Sequence, residues 1–339
     1  MPLPLEGTTE PTESMLDKNP EVAELMSSSE YYSTTAGAAY LGDSRELLDE
    51  LPDESVDLVL TSPPFALQKK KDYGNQDADD YNDWFLEFAE KVHRVLREDG
   101  SFVIDIGGGW QKGEPVRSLY HFKLLIRLVE ECGFHLAQDF YWWNPAKLPT
   151  PAQWVTIERI RAKDAVNHVW WLSKSKRPNA DNRKVLQEYS DSQKQLMENG
   201  YKDKKRPSGH DISDKFDDPN ESGSIPPNLL KFANTASNTH YLKACREMEV
   251  DSHPARFPSD LPEFFINFLT DEDDIVLDIF GGSNMTGWVA ENLQREWLTF
   301  EARDDYLQTS QYRFLPMELI RRREDQSEFG DFSGTQQHD

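Results

Sequence analysis

The sequence predicts an α/β protein built on an open, largely parallel sheet, and three stretches carry that expectation. In Leu58-Val59-Leu60-Thr61-Ser62-Pro63-Pro64-Phe65 an aliphatic run meets two hydroxyls, then two prolines, then an aromatic ring. The aliphatic part reads as a buried strand. The prolines, which fix φ and lack an N–H, end it. Ser101 to Gly108 repeats the pattern, with Phe102, Val103 and Ile104 running into Asp105 and a pair of glycines. Asp274 to Gly287 reads as strand, glycine turn and helix start. Helical periodicities at Trp84 to Leu96 and His121 to Cys132 lie between the strands, the alternation that marks an α/β sheet.

Taken in order, residues 1–35 are rich in Glu, Ser, Thr and Pro with little apolar periodicity, which predicts a disordered acidic arm. A short strand at Tyr40 leads to a helix over Arg45 to Leu51, with Asp43 placed either to cap that helix or to touch a ligand. Ala66 to Tyr81, with Lys69-Lys70-Lys71, reads as a polar loop long enough to close over a site. The aromatics of Trp84 to Leu96 fall on a core-facing stripe. Phe134 to Trp143 reads as a strand pair and Val169 to Leu172 as a further strand. Periodicity then fades until the helix Leu261 to Leu269. Glu296 to Phe300 forms a last strand ending in Glu301, and the tail after Arg323 is polar. The expected division is a catalytic half over 36–175, an irregular region over 176–250, a cofactor half over 251–320 and a tail over 321–339.

Composition narrows the function. No apolar run approaches membrane-spanning length and no secretory core opens the chain, so a soluble, cytoplasmic protein is expected. Cys132 and Cys245 give no metal spacing and no disulfide framework. The net charge of −24 is unusual for a protein that binds nucleic acid, where phosphate contacts supply much of the affinity. It fits either a protein with no such partner or one adapted to very high salt. Residues 145–206 carry 14 Lys and Arg against 7 Asp and Glu, so base is gathered there while acid is spread elsewhere. That favours the high-salt reading, although a basic stretch is also what a solvated face looks like. Amide and hydroxyl groups in the same region suit readout of base edges, and an ordinary insertion loop would look similar.

The chemistry legible in the residues is gripping rather than attacking. Ser62 and the carbonyls of Pro63 and Pro64 offer hydrogen-bond acceptors at the carboxyl end of a strand, where open α/β sheets bind ligands, and Phe65 offers a stacking face. They suit a substrate whose own amine does the attacking. Asp105 ends the next strand, where burying an acid is costly unless it is paired. Either a catalytic or a structural role fits it. At Asp278-Ile279-Phe280-Gly281-Gly282-Ser283-Asn284 the turn is neither G-x-G-x-x-G nor a P-loop. With no means to hold a pyrophosphate, it suits a nucleoside cofactor without phosphate. Glu301, 19 residues after Gly282, stands near the spacing of a ribose-clasping carboxylate.

Together these segments resemble the β class of DNA amino-methyltransferases, and Ser in first place of Ser62-Pro63-Pro64-Phe65 resembles its cytosine-N4 branch. Phe140 to Pro145 resembles that family's aromatic-Asn-Pro segment, and His253-Pro254-Ala255-Arg256-Phe257-Pro258 the segment lining the methionine end of its cofactor. Residues 62–68, 206–212 and 278–284 are especially similar, and the likeness runs from about Tyr40 to Leu315. Met285 departs from the small polar residue usual at its position. The resemblance implies a Rossmann-like S-adenosylmethionine-dependent methyltransferase fold in permuted order, with an inserted target-recognition region over 176–250. It implies Ser62, Pro63, Pro64, Phe65 and Asp105 as the catalytic set. The implied cofactor contacts are Asp43, Thr61, His253, Phe257, Asp278, Phe280, Gly281, Gly282, Ser283, Asn284 and Glu301, with no metal. Double-stranded DNA is the implied partner, with a cognate restriction endonuclease acting independently or none, and the protein a monomer or homodimer near the nucleoid. With no Pro-Cys dipeptide, the thiolate route to C5-methylcytosine has no candidate. Adenine-N6 methylation stays open, as does an RNA substrate. A non-catalytic DNA-binding regulator is disfavoured by the intact Ser62, Asp105, Asp278 and Glu301.

Overall fold

The structure is a computed structural model that describes residues 20–65, 80–199 and 223–322. In chain order its elements are β1 (Tyr32–Ser33), β2 (Gly37–Leu41), α1 (Ser44–Glu50), β3 (Val56–Thr61), α2 (Tyr81–Val95), β4 (Leu96–Ile106), α3 (Tyr120–Glu130), β5 (His135–Trp143), β6 (Val166–Ser173), α4 (Asp191–Asn199), β7 (Leu229–Lys231), α5 (His240–Glu247), α6 (Asp260–Leu269), β8 (Ile275–Asp278), α7 (Met285–Asn292), β9 (Glu296–Glu301) and α8 (Asp304–Ser310). The strands form one sheet in the order β1-β2-β9-β8-β3-β4-β6-β5-β7. From β2 to β4 every pair is parallel. β6 runs antiparallel to both β4 and β5. At the centre, β3 from early in the chain lies beside β8 from late in it, the permuted order the sequence implied.

Burial explains the near-continuous apolar strands, since each face of the sheet is covered by helices. In β3, Val56 and Val59 pack with Leu48 of α1, Phe85 of α2 and Leu124 of α3. Leu58 and Leu60 point the other way, to Phe265 of α6 and Val289 of α7. One strand therefore anchors both cores, and its end is fixed from two sides.

Several expectations are corrected. Residues 20–35 are not a structureless arm: Val22 and Ala23 are buried in the core, and Tyr32 pairs with Ala39. The backbone N–H groups of Ser27 and Ser28 donate to the Glu50 carboxylate at 2.9 and 2.7 Å. The buried side chains of Val22, Ala23, Met26 and Tyr32 and the hydrogen bonds to Glu50 outweigh the polar composition. In place of a strand pair over Phe134 to Trp143 there is one strand, β5 (His135–Trp143), whose partners are β6 and β7. The region 176–250 is not wholly an insertion. β7 joins the main sheet, and Tyr241, Ala244 and Cys245 of α5 belong to the core. These elements were missed because three strand residues and an eight-residue helix leave too little period to read. The lysine loop at 69–71 and the segment 206–212 lie outside the described residues.

Val22 tests the first correction. Val22→Asp places an unpaired charge in the core, at about 3 kcal/mol. The melting temperature should fall by roughly 6–12 °C in calorimetry. An unchanged melting temperature would restore the disordered arm.

Candidate active site

The carboxyl ends of β3, β4, β8 and β9 open on one cavity of about 420 Å³. Its wall includes Ser62, Pro63, Pro64, Phe65 and Asp105 on one side and Asp43, Phe280, Gly281, Gly282, Ser283 and Glu301 on the other, with His253 and Phe257. Most of the residues singled out in sequence therefore meet in one place, although they come from positions more than two hundred residues apart.

On the first side, the Ser62 hydroxyl donates to Asp105 Oδ2 at 3.1 Å. Asn167 of β6 donates from Nδ2 to Asp105 Oδ1 at 3.0 Å. Asp105 is 4% exposed, and burial pushes its carboxyl up to about 6, against the pull of the Asn167 and Ser62 hydrogen bonds and of the Lys147 charge. The Phe65 ring lies so close to Gly107 that a Cβ there would come within 2.6 Å of it, so the strand end must be glycine for the ring to sit where it does.

On the second side, Glu301 Oε2 accepts from the Gly282 N–H at 2.7 Å and Oε1 from the Arg303 N–H at 3.0 Å. Burial raises its carboxyl. Gly282 has φ of +52°, and an added Cβ would press on the His253 ring. His253 packs edge-on against Tyr306, with ring centroids 4.3 Å apart. Burial pushes its imidazole down to about 4, so it is neutral at physiological pH. Asp43 caps α1 through the Arg45 N–H at 2.9 Å and pairs with the Arg45 guanidinium, which holds its carboxyl below the usual range. It also lines the cavity, so cap and wall are the same residue.

Three of the residues implied as cofactor contacts, Thr61, Asp278 and Asn284, lie behind the wall instead. Asp278 Oδ1 accepts from Thr61 Oγ1 at 2.6 Å and from the Phe280 N–H at 3.0 Å, and Oδ2 accepts from Thr286 Oγ1 at 2.7 Å. Asn284, in the left-handed region at φ 48°, accepts from the Gly287 N–H and Thr299 Oγ1 and donates to Tyr32. All three are at most 2% exposed, and their polar groups are spent on shaping the turn.

Sequence reading missed Asn167 and Lys147. It also favoured packing for Trp84 and Phe88, which form part of the cavity wall while their rings pack at a tilt against Phe280. The available signal for Asn167 was a polar residue opening the aliphatic strand Val166 to Leu172.

Fold and cavity together match the methylase class: a permuted, largely parallel sheet with an acceptor-lined pocket beside a glycine turn that follows neither phosphate-binding pattern. The chain belongs to the DNA methylase family, which matches residues 56–312. It is 56% identical over 287 residues to the Type II methyltransferase M.PvuII of Proteus hauseri, covering 84% of this chain and 85% of the relative. It is 30% identical to M.BglII of Bacillus subtilis, over 79% and 66% of the two chains. The solved structure of a PvuII DNA methyltransferase (cytosine-N4-specific) superposes with a TM-score of 0.69 at 48% identity, covering 85% of this chain and 90% of that one.

The buried Asp105 makes stability depend on pH. Its folded carboxyl binds a proton more tightly than the unfolded chain does, so stability is lost as pH rises from about 4 through about 6. Above that range the ionised form costs about 3 kcal/mol. Asp105→Asn removes this cost, and should raise the melting temperature by several degrees at pH 8 while leaving it unchanged at pH 4. A lower melting temperature at pH 8 would show that the hydrogen bonds of Asp105 outweigh its burial.

Proposed function

We propose that this chain transfers a methyl group from S-adenosylmethionine to the exocyclic N4 amine of cytosine in a short duplex DNA site. The target base turns out of the helix into the cavity, and the setting is restriction–modification. The observation that carries this reading is the Ser62–Asp105 acceptor pair opening on the same cavity as the Gly281-Gly282 turn and Glu301.

The residues suit that cofactor. A carboxylate beside the glycine turn accepts ribose hydroxyls and would repel a pyrophosphate. Trp84, Phe88 and Phe280 give an apolar wall for a purine. Of the nearby cations, Arg303 pairs with Asp305, and Arg313 donates to the Ser283 carbonyl and hydroxyl. The side chains of Asp43, His253, Phe257 and Ser283 complete the binding wall in this reading, with Thr61, Asp278 and Asn284 holding the turn in shape. S-adenosylmethionine supplies a methyl group on a positively charged sulfur, which takes back the bonding pair as the N–C bond forms.

The chain's own groups prepare the amine. Extruding the base costs a few kcal/mol, partly repaid by stacking on Phe65. The Ser62 hydroxyl donates to Asp105, so its lone pairs stay free to accept. Ser62 Oγ, the Pro63 carbonyl and Asp105 Oδ2 take the N–H hydrogen bonds and draw the nitrogen lone pair out of ring conjugation. Asp105 Oδ2 is the atom placed to receive the proton that leaves nitrogen after transfer. Positioning accounts for most of the rate, and no side chain acts as nucleophile.

The acidic surface we assign to a high-salt cytoplasm. Arg45, Arg94, Arg127 and Arg303 are each paired with carboxylates, while the chain as a whole carries a net charge of −24.

Nucleoside mass spectrometry tests the reading, with duplex plasmid and labelled S-adenosylmethionine across a range of potassium chloride. Labelled N4-methylcytosine is expected, persisting at molar salt. Ser62→Ala should lower turnover by about a hundredfold or more while cofactor binding is kept. Labelled N6-methyladenine would overturn the base assignment, and activity confined to low salt would overturn the high-salt reading.

A further inference from the structure

Behind the acceptor pair lies a hydrogen-bond chain whose direction is fixed by its outermost member. Lys147, in the loop between β5 and β6, donates from Nζ to Asn167 Oδ1 at 3.4 Å. Asn167, 8% exposed, donates in turn to Asp105 Oδ1 at 3.0 Å. An amide can face a carboxylate with either end, and only the NH₂ end is attractive. An ammonium has three donors and no acceptor, so it can meet only the amide oxygen. Once it does, the NH₂ group must point at Asp105. Ser62 donates to the other carboxylate oxygen. All donors thus converge on Asp105, which favours its charged form over the acid.

Resting on the functional reading above, we propose that Lys147 is a positioning residue for methyl transfer: it orients the Asn167 amide and so keeps Asp105 the charged acceptor of the exocyclic amine. Lys147 lines the cavity, and among the described residues it is the cation whose charge Asp105 feels. The other groups packed round Asp105 leave this arrangement alone. Just after β3 comes the Ser62 hydroxyl, and Thr61 is spent on Asp278. On β6 the neighbour of Asn167, His168, faces the opposite side of the sheet, beside His121 and near Arg117, which pairs with Asp164. Within the cavity wall, Arg256 donates to the His253 carbonyl and Glu301 accepts from the Gly282 N–H.

A lysine beside a DNA site has a plainer use, as a phosphate contact, and the pH profile separates the two roles. For the wild-type protein, kcat/KM on duplex DNA should rise with pH through the ionisation of Asp105. In Lys147→Met the rising limb should move to higher pH, and turnover at pH 6.5 should fall about tenfold while recovering at pH 8.5. Lys147→Arg should restore the wild-type limb, and Asn167→Leu should move it the same way. Adding Lys147→Met to Asn167→Leu should then move the limb by clearly less than Lys147→Met moves it alone, because the chain is already cut and only the direct pull of the Lys147 charge is left to lose. A limb that stays in place while DNA binding weakens equally at every pH, with the salt slope reduced by about one, would overturn the proposal in favour of a phosphate contact. A further movement in the double variant as large as that of Lys147→Met alone would overturn the relay. A wild-type protein that methylates no DNA would sink the functional reading itself, an outcome visible before any variant is compared.

Discussion

A carboxylate buried at the end of β4 is the constraint on which this site depends. Asp105 has almost no contact with solvent, yet the proposed chemistry needs it as an acceptor. The structure resolves this by surrounding it with donors from three separate segments: Ser62 after β3, Asn167 on β6 and, through Asn167, Lys147. Asp278 at the end of β8 is handled the same way, with Thr61, Thr286 and the Phe280 N–H as its donors. Adjacent residues of one strand end, Thr61 and Ser62, thus serve the two acids separately. One shapes the turn and the other faces the cavity. The two halves of the cavity are tied together by the backbone of β3, which also anchors the apolar cores on both faces.

Permutation explains why such a site can be assembled from distant sequence. In the sheet, β3 and β8 are neighbours, so the acceptor set and the cofactor turn adjoin whatever their order along the chain. What the fold requires is that the strands end together. The Pro63-Pro64 stop, the Gly107 approach to Phe65 and the Gly282 approach to His253 each fix an end at the height of the cavity.

Much of this was legible in sequence, and the reasons are physical. Long aliphatic runs closed by prolines or glycines state both that a strand is buried and where it stops, so β3, β4, β8 and β9 and the residues at their ends could be read directly. Asp105 and Glu301 were legible because a carboxylate at such an end needs a reason to be there. Thr61, Asp278 and Asn284 are buried behind the cavity wall, bonded to other groups of the protein, which was not legible because sequence does not reveal which way a polar side chain points. Asn167 and Lys147 were missed since their role depends on a contact across strands 62 and 42 residues from Asp105 in the chain. The N-terminal segment at 20–35 misled through composition: a few buried side chains, among them Val22, Ala23, Met26 and Tyr32, decide its fate, and they are swamped by Ser, Thr and Glu in any average.

The central claim is that the groups around the amine accept hydrogen bonds and none of them carries the methyl group. The most direct test is the stereochemistry of transfer, with a cofactor whose methyl carbon is made chiral by the three hydrogen isotopes. Direct attack by the cytosine amine predicts inversion at that carbon in the N4-methylcytosine product. Retention would require two successive transfers through a side chain of the protein, and would contradict the account.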